Sequence, residues 1–430
     1  MVLGASLDIR ILYMVLIVVF FIVGIAIGSI AMKRTEAITH TYTVRELETK
    51  TTTVVSREKV FTTLIYSITR TSMVTKTMAI PTTVTLTKFI TTTSIAKTTI
   101  TKTLTTTERV VVIPQGKQQV IAWMLSTCDR DHWKILEKYA YAIDIVSPDW
   151  YYLNEMLGIS KYEKRCAEDR EFLEFMKKLG IKVMPMVVTA NSEWVRKLVT
   201  DPSAIESFAI ELINLAKKYG YIGFNIDFEV SIPENAADFA NFIDIVAKRL
   251  HRYGLIVTVD VPAKRMEWPS RYTATYDYGL LGKTDVDAIM IMAYDFYEWS
   301  GRPKPVAPLW WVEDCIKYAL QYIPKEKLIL GIPNYGKVWY RGGSFKNWLL
   351  YPDWLKLLKE SGKNYTVDKD LMEKVLELDN EVAYFVDGEM GYYRALLAVK
   401  YDLKGIAVWR LDKGDPDAWK YYADALGKKG

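Results

Sequence analysis

Apolar and polar residues follow three different patterns along the chain. Residues 11–31 form an apolar run without a charged residue, about 21 residues long, and a membrane-spanning helix needs about 20. From residue 35 to about 114, threonine dominates, with Val, Ile and Lys between the threonines. From residue 118 onward, short β-rich apolar runs alternate with amphipathic helical stretches. The patterns predict four segments: a short tail (1–10), a transmembrane anchor (11–32), a Thr-rich stalk (33–117) and a globular domain (118–430).

The apolar run is long for the core of a signal peptide, which usually has about 7–15 residues. Ser29 and Ala31 nevertheless form the small-x-small pattern that signal peptidase accepts, so a cleaved signal remains an alternative, as does a buried helix. Lys33 and Arg34 would by charge alone favour a cytoplasmic domain. We instead expect a single-pass protein of the cell membrane with an extracellular domain, because a long spacer is useful there and long domains translocate regardless of flanking charge.

The threonine-rich segment favours an extended conformation. β-Branched residues disfavour helix, and no sustained heptad indicates a coiled coil. Such a composition is typical of an extended stalk, which we expect to be O-glycosylated. A disordered linker is one alternative. Because residues 82–113 partly alternate between polar and apolar, β-pairing between chains is another, and it would allow self-association through the stalk.

The globular part contains eight β-rich runs with helical patterns between most of them, for example over 204–219, 236–253 and 312–322. This alternation predicts an α/β fold, a (β/α)₈ TIM barrel. The stretch 334–404 is too long for one loop and one helix, so we expect a small insertion between strands 7 and 8. The predicted strands are residues 120–125, 142–147, 182–188, 223–229, 255–261, 286–294, 327–332 and 405–411.

The fourth predicted strand, GFNIDFE (223–229), carries the strongest candidate chemistry. Side chains alternate faces along a strand, so Asn225, Asp227 and Glu229 share the face opposite the apolar residues. Two carboxylates two residues apart repel, which raises the pKa of one of them, as a general acid near neutral pH requires. A buried polar layer or a divalent-metal site is the alternative from this pattern alone.

Residues 221–229 (YIGFNIDFE) resemble the fourth-strand signature of glycoside hydrolase family 18, which includes chitinases, peptidoglycan-acting glucosaminidases and endo-N-acetylglucosaminidases. The resemblance covers roughly 118–430. Ile222 and Asn225 depart from it, because they stand where the family has aspartates and so shorten the carboxylate relay. Four further segments are similar to motifs of the family or of its branch acting on spore and cell-wall glycans: SPDWY (147–151), MAYD (292–295), PVAP (305–308) through LGIP (330–333), and GIAVW (405–409).

The resemblance implies a retaining, substrate-assisted hydrolysis of β-glycosidic bonds at N-acetylglucosamine-type sugars. Glu229 would be the general acid and base, and Asp227 would stabilise the oxazolinium intermediate. Tyr294 would hydrogen-bond the acetamido oxygen, and Trp409 would stack on the sugar, although either could simply be a core residue. The other residues expected to bind substrate are Asn225, Asp295, Trp150, Tyr151 and Met292.

Charge and composition limit the classes of partner and cofactor that we expect. The formal net charge is +5, but the basic excess lies in 33–117, so the rest of the chain is slightly acidic and nucleic acid is not an expected partner. The three histidines are scattered and no cysteine pair has zinc-like spacing, so neither a metal nor another cofactor is expected. The expected partners are a GlcNAc-containing polysaccharide or glycan and, through the N-terminal helix, a membrane.

The cysteines and one sequon add expectations that depend on an extracellular location. Cys128 and Cys166 fall in loops on one rim, which predicts a disulfide, whereas Cys315 lies on an apolar helix face and should be reduced. Asn364 begins an Asn-x-Thr sequon and is a candidate for glycosylation. A barrel does not fix function, so a non-hydrolytic carbohydrate-binding or surface-layer scaffold protein is the rival interpretation. The presence of Glu229, the candidate general acid, favours the hydrolase over this rival.

Overall fold

The structure, a computed structural model, describes residues 118–266, 270–296 and 301–429, together with the backbone of four short strands nearer the N-terminus. These four form two antiparallel pairs within the chain: β1 (Thr39–Tyr42) with β2 (Val74–Thr77), and β3 (Leu86–Thr92) with β4 (Ile100–Thr106). The predicted anchor lies outside the described residues. Within the part of the chain that is described, no helix is long and apolar enough to cross a membrane. Pairing between chains stays a prediction.

Residues from Ile113 to Gly430 form one compact unit, and its centre is a closed barrel of parallel strands. The strands follow chain order around the barrel, and the last pairs with the first. Two short strands, β8 and β9, together make the third position. The barrel strands are β5 (Gln119–Met124), β6 (Ile145–Leu153), β8 (Lys182–Val183), β9 (Met186–Thr189), β10 (Gly223–Phe228), β11 (Ile256–Pro262), β12 (Ala288–Met292), β13 (Leu328–Pro333) and β19 (Gly405–Trp409).

Helices surround the barrel, and the sequence places capping residues at several of their ends. Asp169 accepts hydrogen bonds from the Glu171 and Phe172 N–H groups, and Asp201 caps the longest helix in the same way. Gly220 ends that helix in a left-handed conformation. The helices are α1 (Arg130–Lys138), α2 (Arg170–Leu179), α3 (Ser192–Thr200), α4 (Pro202–Tyr219), α5 (Ala236–His251), α6 (Arg271–Ala274), α7 (Tyr278–Leu281), α8 (Leu309–Ala319), α9 (Tyr351–Ser361), α10 (Gly388–Lys400) and α11 (Ala418–Leu426).

The expected alternation of faces decides where the core lies. Phe224, Ile226 and Phe228 of β10 are buried between the barrel and its helices, within one large apolar core. Side chains of the other face fill the barrel interior, where a smaller cluster includes Met184 and Met290. The polar residues of β10 therefore point into the barrel, which confirms the predicted division of its two faces.

The predicted insertion between the seventh and eighth barrel strands is confirmed as a small antiparallel sheet carrying α9. Glu373 and Arg394 form an ion pair without solvent exposure where the sheet meets the barrel. Trp354 stacks on Phe385 in the separate core of the insertion. Its strands are β14 (Gly336–Tyr340), β15 (Phe345–Leu349), β16 (Thr366–Asp368), β17 (Glu373–Glu377) and β18 (Glu381–Phe385), in the sheet order β15-β14-β18-β17-β16. Outside the insertion, β7 (Ile159–Lys161) forms a hairpin with β6.

Candidate active site

The C-terminal ends of the barrel strands open into a cavity of about 1210 Å³. It is lined by carboxylates from β10 and β11, by aromatic side chains, and by basic residues at its edge. Among the residues predicted from the sequence, those that line it are Asp227, Glu229, Met292, Tyr294, Asp295 and Trp409. The structure therefore brings together both predicted catalytic carboxyls, the predicted catalytic tyrosine and three predicted substrate-binding residues.

Strand β10 begins at a glycine because the neighbouring backbone is very close. A Cβ added at Gly223 would lie 1.9 Å from the Ile256 carbonyl oxygen, and its φ of 155° is unfavourable for other residues. The register then places Asn225 beside Thr258 and Ile226 beside Val259. Asp227 consequently comes level with Asp260 on β11, and both side chains point into the barrel.

Glu229 lies just past the end of β10, at the opening of the cavity. Its N–H donates to the Thr189 carbonyl oxygen at 2.8 Å, and the Tyr272 hydroxyl donates to its Oε2 at 3.3 Å. Burial among protein atoms raises the pKa of Glu229, the Tyr272 hydrogen bond opposes this, and the negative charge of Asp295 adds to it. Glu229 therefore keeps its proton to higher pH than a free glutamate, as a general acid must.

Asp227 lies deeper in the cavity, and its Oδ1 is buried. Burial raises the pKa of Asp227 well above the usual value, and the charges of Asp260 and then Glu229 raise it further. Asn225 is fully buried below it and does not line the cavity. The Asn225 Nδ2 donates to Asp260 Oδ2 at 2.7 Å, so the predicted contact of Asn225 with substrate is wrong: this amide holds a neighbouring carboxylate.

Tyr294 stands at the end of β12 and faces the same cavity. Its ring packs edge-on against Tyr335 with 6.1 Å between centroids. Burial and the surrounding carboxylates raise the pKa of Tyr294 well above the usual value, so it stays a phenol that can donate a hydrogen bond. Asp295 turns toward the insertion, where Lys337 Nζ lies 2.9 Å from its Oδ1 and the Tyr335 hydroxyl donates to the same oxygen.

Trp409 ends the last barrel strand and forms part of the cavity floor. Trp123 of the first strand contacts it edge-on, with 6.4 Å between ring centroids. A flat indole at this position presents an apolar face on which a pyranose ring can stack. Trp348, on the edge strand of the insertion, adds an exposed indole to the cavity wall.

Trp150 and Tyr151 lie elsewhere, and their predicted role in substrate binding is wrong. They are 0% and 1% exposed, and both belong to the main core outside the cavity. The predicted strand ended at 147, but β6 continues to Leu153, and a shift in its register between Asp149 and Tyr151 interrupts the alternation of faces. Both consecutive aromatic side chains are therefore buried, the Trp150 Nε1 donating to Thr127 Oγ1 at 3.2 Å.

A disulfide joins the loop that carries Cys128 to the loop that carries Cys166. Cys128 and Cys166 are bonded, with 5.2 Å between their Cα atoms, and Cys315 is buried and free. Arg165, next to the disulfide, forms an ion pair with Asp149, whose pKa burial raises to about 6. Asn364, the candidate for glycosylation, is exposed in the loop between α9 and β16.

Several cavity residues were not predicted. Asp260 had a signal in the sequence, since it is a lone acid on the inward parity of an apolar strand. Tyr272, Tyr335 and Trp348 had none, because they come from loops and from the insertion, where no period relates a position to the barrel axis.

A parallel (β/α)₈ barrel with raised-pKa carboxyls and aromatic side chains in its C-terminal cavity has the form of a glycoside hydrolase. A profile of the glycosyl hydrolases family 18 matches residues 134–414. The chain therefore belongs to this family of glycoside hydrolases. The expected family, fold of the globular part and enzyme class are thereby confirmed.

Individual relatives agree with this assignment. The uncharacterized glycosylase YvbX of Bacillus subtilis (strain 168) is 27% identical over 268 residues, which are 58% of this chain and 76% of that protein. The cortical fragment-lytic enzyme of Bacillus subtilis (strain 168) is 25% identical over 245 residues, 54% of this chain and 56% of that one. The crystal structure of a chitinase from Chromobacterium violaceum ATCC 12472 has the same fold, with a TM-score of 0.65, 23% identity, and coverage of 73% of this chain and 100% of that one.

Proposed function

We propose that this chain hydrolyses β-glycosidic bonds at N-acetylglucosamine-type sugars with retention of configuration, the substrate supplying the nucleophile. The observation that carries the proposal is the arrangement of Glu229, Asp227 and Tyr294 around one cavity. Glu229 lies at its opening and has a pKa raised by burial, Asp227 lies deeper, and Tyr294 faces both. The names of the relatives, a glycosylase, a cortical fragment-lytic enzyme and a chitinase, support the class of substrate.

In the first step, Glu229 donates its proton to the glycosidic oxygen, and the bond from that oxygen to the anomeric carbon breaks. The oxygen of the 2-acetamido group attacks the anomeric carbon and forms a cyclic oxazolinium ion. Asp227, ionised, accepts the acetamido N–H and stabilises the positive ring, and the Tyr294 hydroxyl hydrogen-bonds the acetamido oxygen. Trp409 supports the sugar by stacking.

In the second step, Glu229, now ionised, takes a proton from a water molecule that attacks the anomeric carbon from the side the leaving group left. The oxazolinium ring opens, the acetamido group is restored, and the product keeps the configuration of the substrate. Both steps require an N-acetyl group on the sugar at the cleaved bond. A de-acetylated sugar can stack and bind, but it lacks the nucleophile.

The full-length chain, assayed on acetylated and de-acetylated oligosaccharides of the same length, tests the proposal. We expect hydrolysis of the acetylated substrates alone, with the β-anomer as first product by NMR. Equal rates on both substrates would contradict the mechanism. Binding without hydrolysis of either would instead favour a carbohydrate-binding scaffold.

A further inference from the structure

One buried acid of the cavity, Asp260, has no part in the reaction as described above. It is 2% exposed and comes from β11, level with Asp227 on β10. Both line the cavity. A buried carboxyl is costly unless it is hydrogen-bonded or neutral, so its presence beside the proposed stabilising aspartate needs a physical explanation.

The contacts of Asp260 hold it in one orientation. Its Oδ2 accepts a hydrogen bond of 2.7 Å from Asn225 Nδ2, and Asn225 Oδ1 in turn accepts one of 3.1 Å from Thr258 Oγ1. In this arrangement the Asn225 amide nitrogen faces Asp260 and the amide oxygen faces Thr258. One oxygen of Asp260 is fixed, and the other is left for a different partner.

One carboxyl oxygen of each aspartate is an acceptor without a donor. Asp227 Oδ1 and Asp260 Oδ1 are both buried, and within the described part of the chain neither receives a hydrogen bond. Two adjacent buried carboxylates cannot both be charged at low cost. A single proton between them would remove one charge and give each oxygen a partner.

We propose that Asp260 is a positioning residue that shares one proton with Asp227, so that the pair carries a single negative charge at working pH. When the acetamido group is bound, the proton lies on Asp260, which donates to Asp227 and leaves Asp227 ionised toward the sugar. No bond to the substrate involves Asp260. This role rests on the proposed function, although the shared proton itself does not depend on turnover.

Other charged and titratable groups surround the pair, and they would influence its titration. Just past the end of β10, Glu229 acts on both aspartates, and from β6, Asp149 acts on Asp227. Each negative charge favours retention of the shared proton. The remaining groups that interact with the pair are hydroxyls, Tyr272, Tyr276 and Tyr294, and Asp295 acts on Tyr294 and Glu229.

A carboxyl titration of the inactive Glu229→Gln chain tests the shared proton directly. With ¹³C-labelled aspartate, we expect one aspartate carboxyl to titrate well above the usual range for an aspartate. Asp260→Asn in the same background should lower that titration by at least about one pH unit, because a like charge has been removed. The control is Asp415→Asn, which changes a buried acid outside the cavity and should leave that titration in place. If every aspartate is ionised by about pH 6, the proposal is wrong, whether or not the Asp260 variant folds.

Kinetics of single variants separate positioning from binding. Asp260→Asn keeps a neutral donor to Asp227, so kcat should stay within about threefold of native. Asp260→Ala removes the donor and should lower kcat roughly tenfold or more, as for other hydrogen bonds to charged groups, while KM changes little. Equal losses in both variants would overturn the proposal. A chain that hydrolyses none of the glycans would refute the proposed function, and the carboxyl titration would still decide the pair.

Discussion

At the scale of single residues, replacing Glu229 should affect turnover most selectively, with little effect on glycan binding. Glu229→Gln keeps the shape and can still accept the Tyr272 hydrogen bond, but it has no proton to give to the glycosidic oxygen. General acid catalysis contributes about 10²–10⁴-fold, so we expect turnover to fall by at least that factor while glycan binding stays nearly unchanged. Product formation and calorimetric binding on one acetylated oligosaccharide measure both. Hydrolysis at the native rate would exclude Glu229 as the acid.

Asp227 should destabilise the fold at neutral pH. Burial and its charged neighbours raise its pKa above the value of about 3.9 in an unfolded chain. The folded state then binds this proton more tightly, so the free energy of unfolding falls as pH rises from about 4 through the folded pKa. Asp227→Asn should therefore raise the Tm at pH 7, with a difference that shrinks toward pH 4, and lower turnover severely.

Asp379 offers a control of opposite sign for that experiment. It is exposed, and the hydrogen bond and charge of Lys363 lower its pKa. Asp379→Asn should lower the Tm slightly at pH 7 or leave it unchanged. Its Tm should not rise above that of the native chain as the pH increases toward 7. A Tm of the Asp227 variant that is equal to native at every pH would show that this carboxyl is not under electrostatic strain.

The same residues show how far a sequence can predict a site. The period of two placed Asp227 and Glu229 on the inward face without any structural information. That period failed at Trp150 and Tyr151, because a register shift within β6 depends on the pairing of three strands. The period also cannot distinguish a residue that contacts substrate from one that positions a neighbouring side chain. Asn225 was therefore predicted to bind the sugar, although its amide hydrogen-bonds Asp260.

At the scale of elements, the barrel was predictable because each strand is short, apolar and followed by a helix. The starts and ends of the other barrel strands lie within three residues of the prediction, whereas β6 extends to Leu153 because its end pairs with β7. The strands of the insertion were not predicted individually, and β15 is the plainest case, since it is exposed at four of its five positions. An edge strand of this kind is defined by its neighbour and not by its own pattern.

The insertion should depend strongly on its buried ion pair. Glu373 accepts from the N–H groups of Val306 and Ala307 at 2.9 and 2.6 Å, and Arg394 donates to the Ala307 carbonyl oxygen and pairs with Glu373. Arg394→Met would leave Glu373 charged, buried and without its counter-ion. Breaking such a pair costs about 3–5 kcal/mol, which denaturant unfolding would detect as a lower midpoint.

Two comparisons make this prediction specific. Arg341 and Glu377 form a pair on the surface of the same insertion, with both side chains at least half exposed, so Arg341→Met should change stability by at most about 1 kcal/mol. Adding Glu373→Gln to Arg394→Met should restore part of the loss, because the amide is neutral. Similar midpoints for the two arginine variants would mean that burial does not matter here.

At the scale of the whole molecule, the disulfide is a test of the compartment. The bond between Cys128 and Cys166 spans 38 residues, and closing such a loop contributes about 4 kcal/mol in the chain-entropy model. We expect alkylation to modify no thiol of the folded chain, because Cys315 is buried. After unfolding without a reductant, the intact mass should show one modified thiol, that of Cys315. Three modified thiols would place the domain in a reducing environment.

The last prediction concerns topology: residues after 33 should lie outside the cell, anchored by the apolar run 11–31. A disulfide, a substrate of surface glycans and an exposed sequon at Asn364 all fit that side of the membrane. The segment 33–117 carries the basic excess of the chain, so trypsin has many sites there, whereas the barrel is compact. Trypsin added to intact cells should release the barrel as a soluble fragment. A barrel that stays cell-bound until the membrane is broken would show the opposite orientation. A lower mass of the released fragment in the Asn364→Gln variant would show glycosylation and would independently support the extracellular location.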